Sequence, residues 1–226
     1  MMHKNIFKLF LFCMLLPCGM VSAQEKPHFS DYLAYFPTLP LPTGQGERVD
    51  ISDTLHVKWV KPRIPKEAVR AFLTEGNIPN IGNNEHIGIA QFKRDTLTVC
   101  IACKIIYDCD LPMGIDYYDE YFLVTYAPDG RIVDWERMGM EGAGLFLEGS
   151  VELAASNEII FHTRQISVRE YEWNRETNTV KESGTLAYYT YRINKDGIIF
   201  PKKEKHRHAS LREDEESWQP HIIKEW

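Results

Sequence analysis

Asp116-Tyr117-Tyr118-Asp119-Glu120-Tyr121 is the stretch of this 226-residue chain whose residue types most suggest chemistry. Rings that stack on sugar faces stand beside carboxylates that accept hydroxyl hydrogen bonds, a mixture suited to carbohydrate binding. The same run fits the start of a strand with alternate tyrosines turned to a core, and both readings stand at this point. Asp116, Tyr117, Tyr118, Asp119 and Glu120 are the candidate binding residues. Just upstream, Asp108, Asp110, Asp116 and Asp119 fall at positions 1, 3, 9 and 12 of a would-be calcium loop. A standard loop wants an oxygen ligand at position 5 and glycine at position 6, where this chain has Pro112 and Met113. No metal site is expected.

Other chemistry finds little support. No G-x-S-x-G surrounds Ser150, and no H-E-x-x-H occurs. A glycosidase needs two carboxylates at a set separation, but with 32 acids any pair can be nominated. No catalytic residue is assigned and no cofactor is expected. The glycines of Met138-Gly-Met-Glu-Gly-Ala-Gly144 lack a lysine and a following helix, so they read as a mobile loop rather than a phosphate cradle. Cys100 and Cys103 sit in LTVCIACKIIY, whose alternation is that of a strand. Residues three apart on a strand face opposite ways, so these two can neither bridge nor share a metal. Buried thiols are the leading reading. A Cys103–Cys109 disulfide is the alternative if the chain bends after Tyr107.

The elements that must position these residues are mostly strands. Residues 24–46 form an extended, proline-punctuated leader whose aromatics suggest packing on the domain. One short helix is expected near 65–74, opened by Pro65 and striped by Val69, Phe72 and Leu73. From His86 onward β-branched and aromatic runs alternate with turns such as Pro128-Asp129-Gly130 and Asn194-Lys195-Asp196-Gly197. The fold class is therefore all-β with minor α: an antiparallel meander over 47–201 forming a curved sheet, an open barrel or a sandwich. Residues 202–226 read as a charged C-terminal tail, unstructured or partly helical, with Ser210 to Glu213 as a weak capping box.

EYFLVTYAPDGRIVDW, then SVELAASNEIIFHT, then LAYYTYRINKDGIIF resembles uncharacterised exported β-rich proteins of Bacteroides-type bacteria. The likeness spans about residues 86 to 200. It implies a secreted or surface-layer β domain and carries no activity and no site residues.

The first 23 residues agree with export. Lys4 and Lys8 precede an apolar run, Leu9 to Leu16, and Val21-Ser22-Ala23 offers a signal-peptidase site. That run is far short of the roughly 20 residues that span a bilayer, so no transmembrane segment is expected in the mature chain. Pro17 before Cys18 breaks the lipoprotein pattern, which favours cleavage near Ala23 over acylation at Cys18. The net charge is −6. Nucleic-acid binding needs a clustered basic surface, and the one basic cluster, Lys202 to His208, runs into Glu213-Asp214-Glu215-Glu216.

The leading expectation is a non-enzymatic binding or interaction module of the periplasm or cell surface, with a glycan or another envelope protein as partner. The alternative is a hydrolase directed at glycans or peptides, using carboxylates in a cleft. An open binding face favours the first, and a concave pocket holding two acids favours the second.

Overall fold

Among the described residues, ten strands arrange themselves in two antiparallel sheets that share one core. The computed structural model describes residues 27–44, 46–56, 60–73, 84–108, 116–142, 145–174, 179–213 and 220–225. The N-terminal segment read as an export signal, with Cys18, and Cys109 lie outside the described residues.

The first sheet is a meander of β2 (Glu85–Arg94), β3 (Leu97–Asp108), β4 (Asp116–Tyr126) and β5 (Ile132–Glu141), in that order. The second has the order β1-β6-β7-β8-β9-β10: β1 (Arg48–Asp50), β6 (Leu145–Leu153), β7 (Ile159–Asn174), β8 (Thr179–Ile193), β9 (Ile199–Glu213) and β10 (Pro220–Glu225). Neither closes into a barrel. Ile87, Ile101, Leu123 and Met138 of the first sheet meet Leu147, Val151, Phe161, Tyr191 and Ile193 of the second. The expected meander thus resolves into a sandwich.

The first sheet is buried on both faces. Along β3, Ile101, Cys103 and Ile105 enter the inter-sheet core, while Cys100 and Ala102 enter a second core on the far face. The two cysteines therefore face opposite ways, as the alternation demands. Burial pushes the Cys100 thiol well above its usual range, so it stays protonated and inert. The second core is closed by two helices, α1 (Phe29–Leu33) and α3 (Lys66–Phe72), which supply Tyr32, Val69 and Phe72. The Tyr32 and Tyr126 hydroxyls meet at 2.8 Å, and Tyr126 donates to the Phe72 carbonyl at 3.1 Å. Gln91 Nε2 donates to the Leu33 and Phe36 carbonyls, tying the leader to β2. Among the described residues no helix is long and apolar enough to cross a membrane.

Three sequence expectations need correction. The leader is not wholly extended: α1 fits between Pro27 and Pro37, which bound a helix rather than forbid one. Its signal was the spacing of Phe29, Tyr32 and Phe36, one helical face. A further short helix, α2 (Ser52–His56), turns Leu55 into the inter-sheet core. Second, Met138 to Gly144 is not a loop throughout, because β5 runs to Glu141 and β6 starts at Leu145. Gly139 belongs to the strand because a Cβ there would lie 2.6 Å from Gln165 Oε1 and 2.7 Å from a Leu147 methyl. Third, residues 202–213 and 220–225 are strand, not tail. Backbone pairing with β8 is indifferent to charge when the side chains stay in water, as those of Lys202, Lys203, Lys205 and Arg207 do.

Gly88 marks where the leader crosses β2. A Cβ there would collide with the Tyr35 carbonyl and the Phe36 ring. Gly88→Ala is expected to cost about 1–3 kcal/mol in chemical denaturation. Limited proteolysis should then cut first between Pro27 and Phe36; unchanged stability with a protected leader would refute the close approach.

Candidate functional site

Strand alternation divides the tyrosine–carboxylate run between two faces. Asp116 and Tyr117 are strand positions on β4, opposite Asp108 and Tyr107 of β3. Tyr118 is half-buried. Glu120 points to the helix-covered face, where it meets Lys104 at 3.1 Å and Arg137 at 3.4 Å. Asp119 points the other way and is 2% exposed, beside its cross-strand neighbour Glu141. Asp119 and Glu120 therefore do not share a surface.

Asp119 and Glu141 are carboxylates directly opposed on adjacent strands, so their surroundings matter. Glu141 Oε2 accepts from the Tyr121 hydroxyl at 2.6 Å. Its Oε1 lies 2.9 Å from His56 Nδ1 and accepts the Leu147 N–H at 3.3 Å. The Tyr121 hydroxyl also lies 3.1 Å from the Leu55 carbonyl. Burial, and then Cys103, Glu141 and Asp119 nearby, hold the Tyr121 phenol well above its ordinary value, so it remains a donor. Both oxygens of Glu141 are engaged in joining α2, β4, β5 and β6. That is a structural role for a buried acid.

A different set of side chains forms a recess. On the face of the second sheet turned away from the core lies a groove of about 370 Å³. Arg48 and Asp50 of β1, Ser52 of α2, Glu148 and Ser150 of β6, His162 and Arg164 of β7 and Tyr188 of β8 line it. Register brings them together: Asp50, Ser150, His162 and Thr190 form one lateral row, and Glu148, Arg164 and Tyr188 the next. Directly opposed residues share a face.

The polar groups are held in place. Arg164 pairs with Glu148. Arg48 Nε and His162 Nε2 reach Glu152 Oε2 at 2.9 Å and 3.1 Å. Arg48, then His162, keeps the Glu152 carboxyl below its usual range. Thr190 donates to Glu204 at 2.8 Å and lies 3.5 Å from His162 Nδ1. Asp50 accepts the Ser52 N–H at 2.8 Å, which orients the start of α2. At one end the groove meets a small apolar cluster of Ile166 and Leu186 with Phe146, Tyr188 and Ile222. Ile222 is on β10, two strands from Leu186 and registered four residues along from it, roughly 16 Å away were the sheet flat. The sheet therefore curls there, aided by bulges in β9 and β10.

Sequence reasoning considered Ser150 alone and did not join it to His162 and Tyr188. The usable signal was the polar phase of Glu148-Ser150-Glu152 and of His162-Arg164, alternating with Leu147-Val151 and Phe161. Among the described residues no three His, Cys, Asp or Glu side chains are placed to hold a metal ion. Comparison with known proteins finds no matching family model, no similar curated protein and no matching solved structure.

Two outcomes follow from the buried polar groups. Tyr121→Phe leaves Glu141 Oε2 without its donor and is expected to cost about 1–3 kcal/mol by urea denaturation; an unchanged midpoint would show that the hydroxyl is dispensable. On the opposite face, His86 of β2 is buried, 1% exposed, across from Lys104. Burial, assisted by Lys104 and opposed by the Asn84 backbone, lowers its pKa to about 4. The unfolded chain takes up this proton near pH 6.5 and the folded chain does not. Stability present above about pH 6.5 is therefore lost as the pH falls towards 4, by up to about 3 kcal/mol. His86→Gln should flatten that part of a melting-temperature profile, and a slope identical to wild type would contradict it.

Proposed function

We propose that the chain is an exported, non-enzymatic binding module of the periplasm or cell surface, with the groove on the outer face of the second sheet as its ligand site. Export is supported by the lysine-led apolar segment ending in Val21-Ser22-Ala23. Binding is supported above all by one feature: a sheet face that could be flat and uniformly solvated is recessed and set with paired polar side chains. The groove's 370 Å³ falls within the usual range of ligand sites. The ion pairs of Arg48 and Arg164 and the hydrogen bond of His162 already hold these side chains and reduce the entropy lost on binding. Donors and acceptors of both signs, with one ring at Tyr188, suit a hydroxyl-rich ligand such as a glycan. The opposed carboxylates Asp119 and Glu141 are not part of this lining, and Glu141 is committed to the sheet junction.

A melting-temperature screen of the purified chain against glycans and cell-wall fragments tests this, because a ligand of the folded state raises the transition. A glycan or cell-wall fragment is expected to raise it. Ser150→Tyr, which fills the groove, and Arg164→Ala should each weaken that ligand about tenfold or more with an unchanged circular dichroism spectrum. A ligand whose binding both variants leave intact sits elsewhere, and that result rejects the groove.

A further inference from the structure

We infer that the ligand of this groove is an acidic linear glycan, one carrying spaced carboxylates, and that β9 is the cationic rail along which those carboxylates lie. This rests on the groove being the ligand site. The chain carries a net charge of −6, yet Lys202, Lys203, Lys205 and Arg207 crowd into six residues. The fold does not leave that cluster in a solvated tail. It makes it the strand next to β8, whose Tyr188 lines the groove.

The register decides which cations face the groove. Lys202 is opposite Thr190, Lys205 opposite Tyr188 and Arg207 opposite Leu186. Opposed residues share a face, so these three project on the side of His162 and Arg164, while Lys203, opposite Tyr189, projects on the other. Lys202 and Lys205 are three apart and would diverge on a regular strand. The bulge between Tyr188 and Tyr189 absorbs one extra residue, Glu204, and returns both lysines to the groove side. Glu204 is itself used, accepting from Thr190 at 2.8 Å. Lys202 and Lys205 are exposed, and among the described residues neither has an ion-pair partner.

Each lateral row is therefore polarised. One runs Asp50, Ser150, His162, Thr190, Lys202, and the next Glu148, Arg164, Tyr188, Lys205. Acceptors stand on the β1–β6 side and cations on β9, about 14 Å from β6 across three strand spacings. A sugar ring set over Tyr188 would give hydroxyls to Asp50, Glu148 and Ser150, and its acid groups would reach Lys202, Lys205 and Arg207. A polyphosphate fits less well, because Asp50, Glu148 and Glu152 share the face and oppose a charge on every unit.

The test is calorimetric titration of the full purified chain with an oligogalacturonate, with an alternating glucuronate–N-acetylglucosamine oligomer, with the methyl ester of each, and with poly-glutamate. At least one acidic oligomer is expected to bind about tenfold more tightly than its own ester. Raising salt from about 50 to about 500 mM should erase that difference. The double variant K202Q/K205Q, confined to exposed side chains, should erase it too while leaving ester binding unchanged. Equal binding of acid and ester overturns the inference and leaves a neutral-glycan groove standing. Binding of poly-glutamate alone overturns it in favour of an acidic peptide. Binding of none of the five overturns it as well, and the groove reading then stands or falls on the melting-temperature screen alone.

Discussion

The carboxylate of Glu141 is the contact on which the sandwich turns. It sits at the last residue of β5, where the chain leaves one sheet for the other, and it holds the Tyr121 hydroxyl, the His56 ring and the Leu147 N–H. A buried carboxylate without partners would carry a desolvation cost of several kcal/mol. The sequence must therefore bring donors from β4, α2 and β6 to one point, and in doing so it fixes the geometry of all three. Gln165 acts alongside it, clamping Met140 through both N–H and carbonyl and reaching the Phe146 carbonyl. Gly139 is the space that allows that amide in.

The same corner protects the edge of β6. Strand β1 covers only Ser150 to Glu152. Beyond it, Ile51 N–H and the Ser52 hydroxyl occupy the Gly149 backbone, and Glu141 occupies Leu147 N–H. An open edge invites pairing with another chain, and here side chains close it without adding strand. A second stitch holds the other end. Asp134 accepts the Ile199 N–H at 2.8 Å, and Thr125 donates to the Gly197 carbonyl at 2.7 Å. With the sheets pinned at both ends and the first sheet roofed by α1 and α3, the remaining large face is the outer side of the second sheet. Ligand groups placed there stand on strands whose backbones cannot drift.

Much of the fold was legible in local pattern. Strand periodicity located the hairpins and set Cys100 against Cys103. Features set by packing were not legible. The helix of Phe29 to Leu33 lay hidden among prolines, and the glycines near Gly139 read as a loop because their need for space comes from Gln165, 26 positions away. The C-terminal strands were missed because charge was taken as a sign of disorder, although an exposed strand tolerates it. The candidate site was legible least. Its residues come from positions 48 to 52, 148 to 150, 162 to 164 and 188. Only the pairing order β1-β6-β7-β8 makes them neighbours, and the sequence alone does not specify that order.

The contrast between β3 and β9 shows how one chain divides its labour. Strand β3 is apolar on both faces through Val99 to Ile105 except at Lys104, and Lys104 is paired with Glu120. Such a strand can only be structural, since every side chain is committed to packing. Strand β9 buries Ile199 and then leaves its cations in water. Burial therefore does not explain its pairing; its backbone bonds to β8 and the anchoring at Ile199 do. A strand held that way is free to vary its side chains for binding. That freedom is why the basic cluster, unneeded by the core, stands on a strand without disturbing the sandwich.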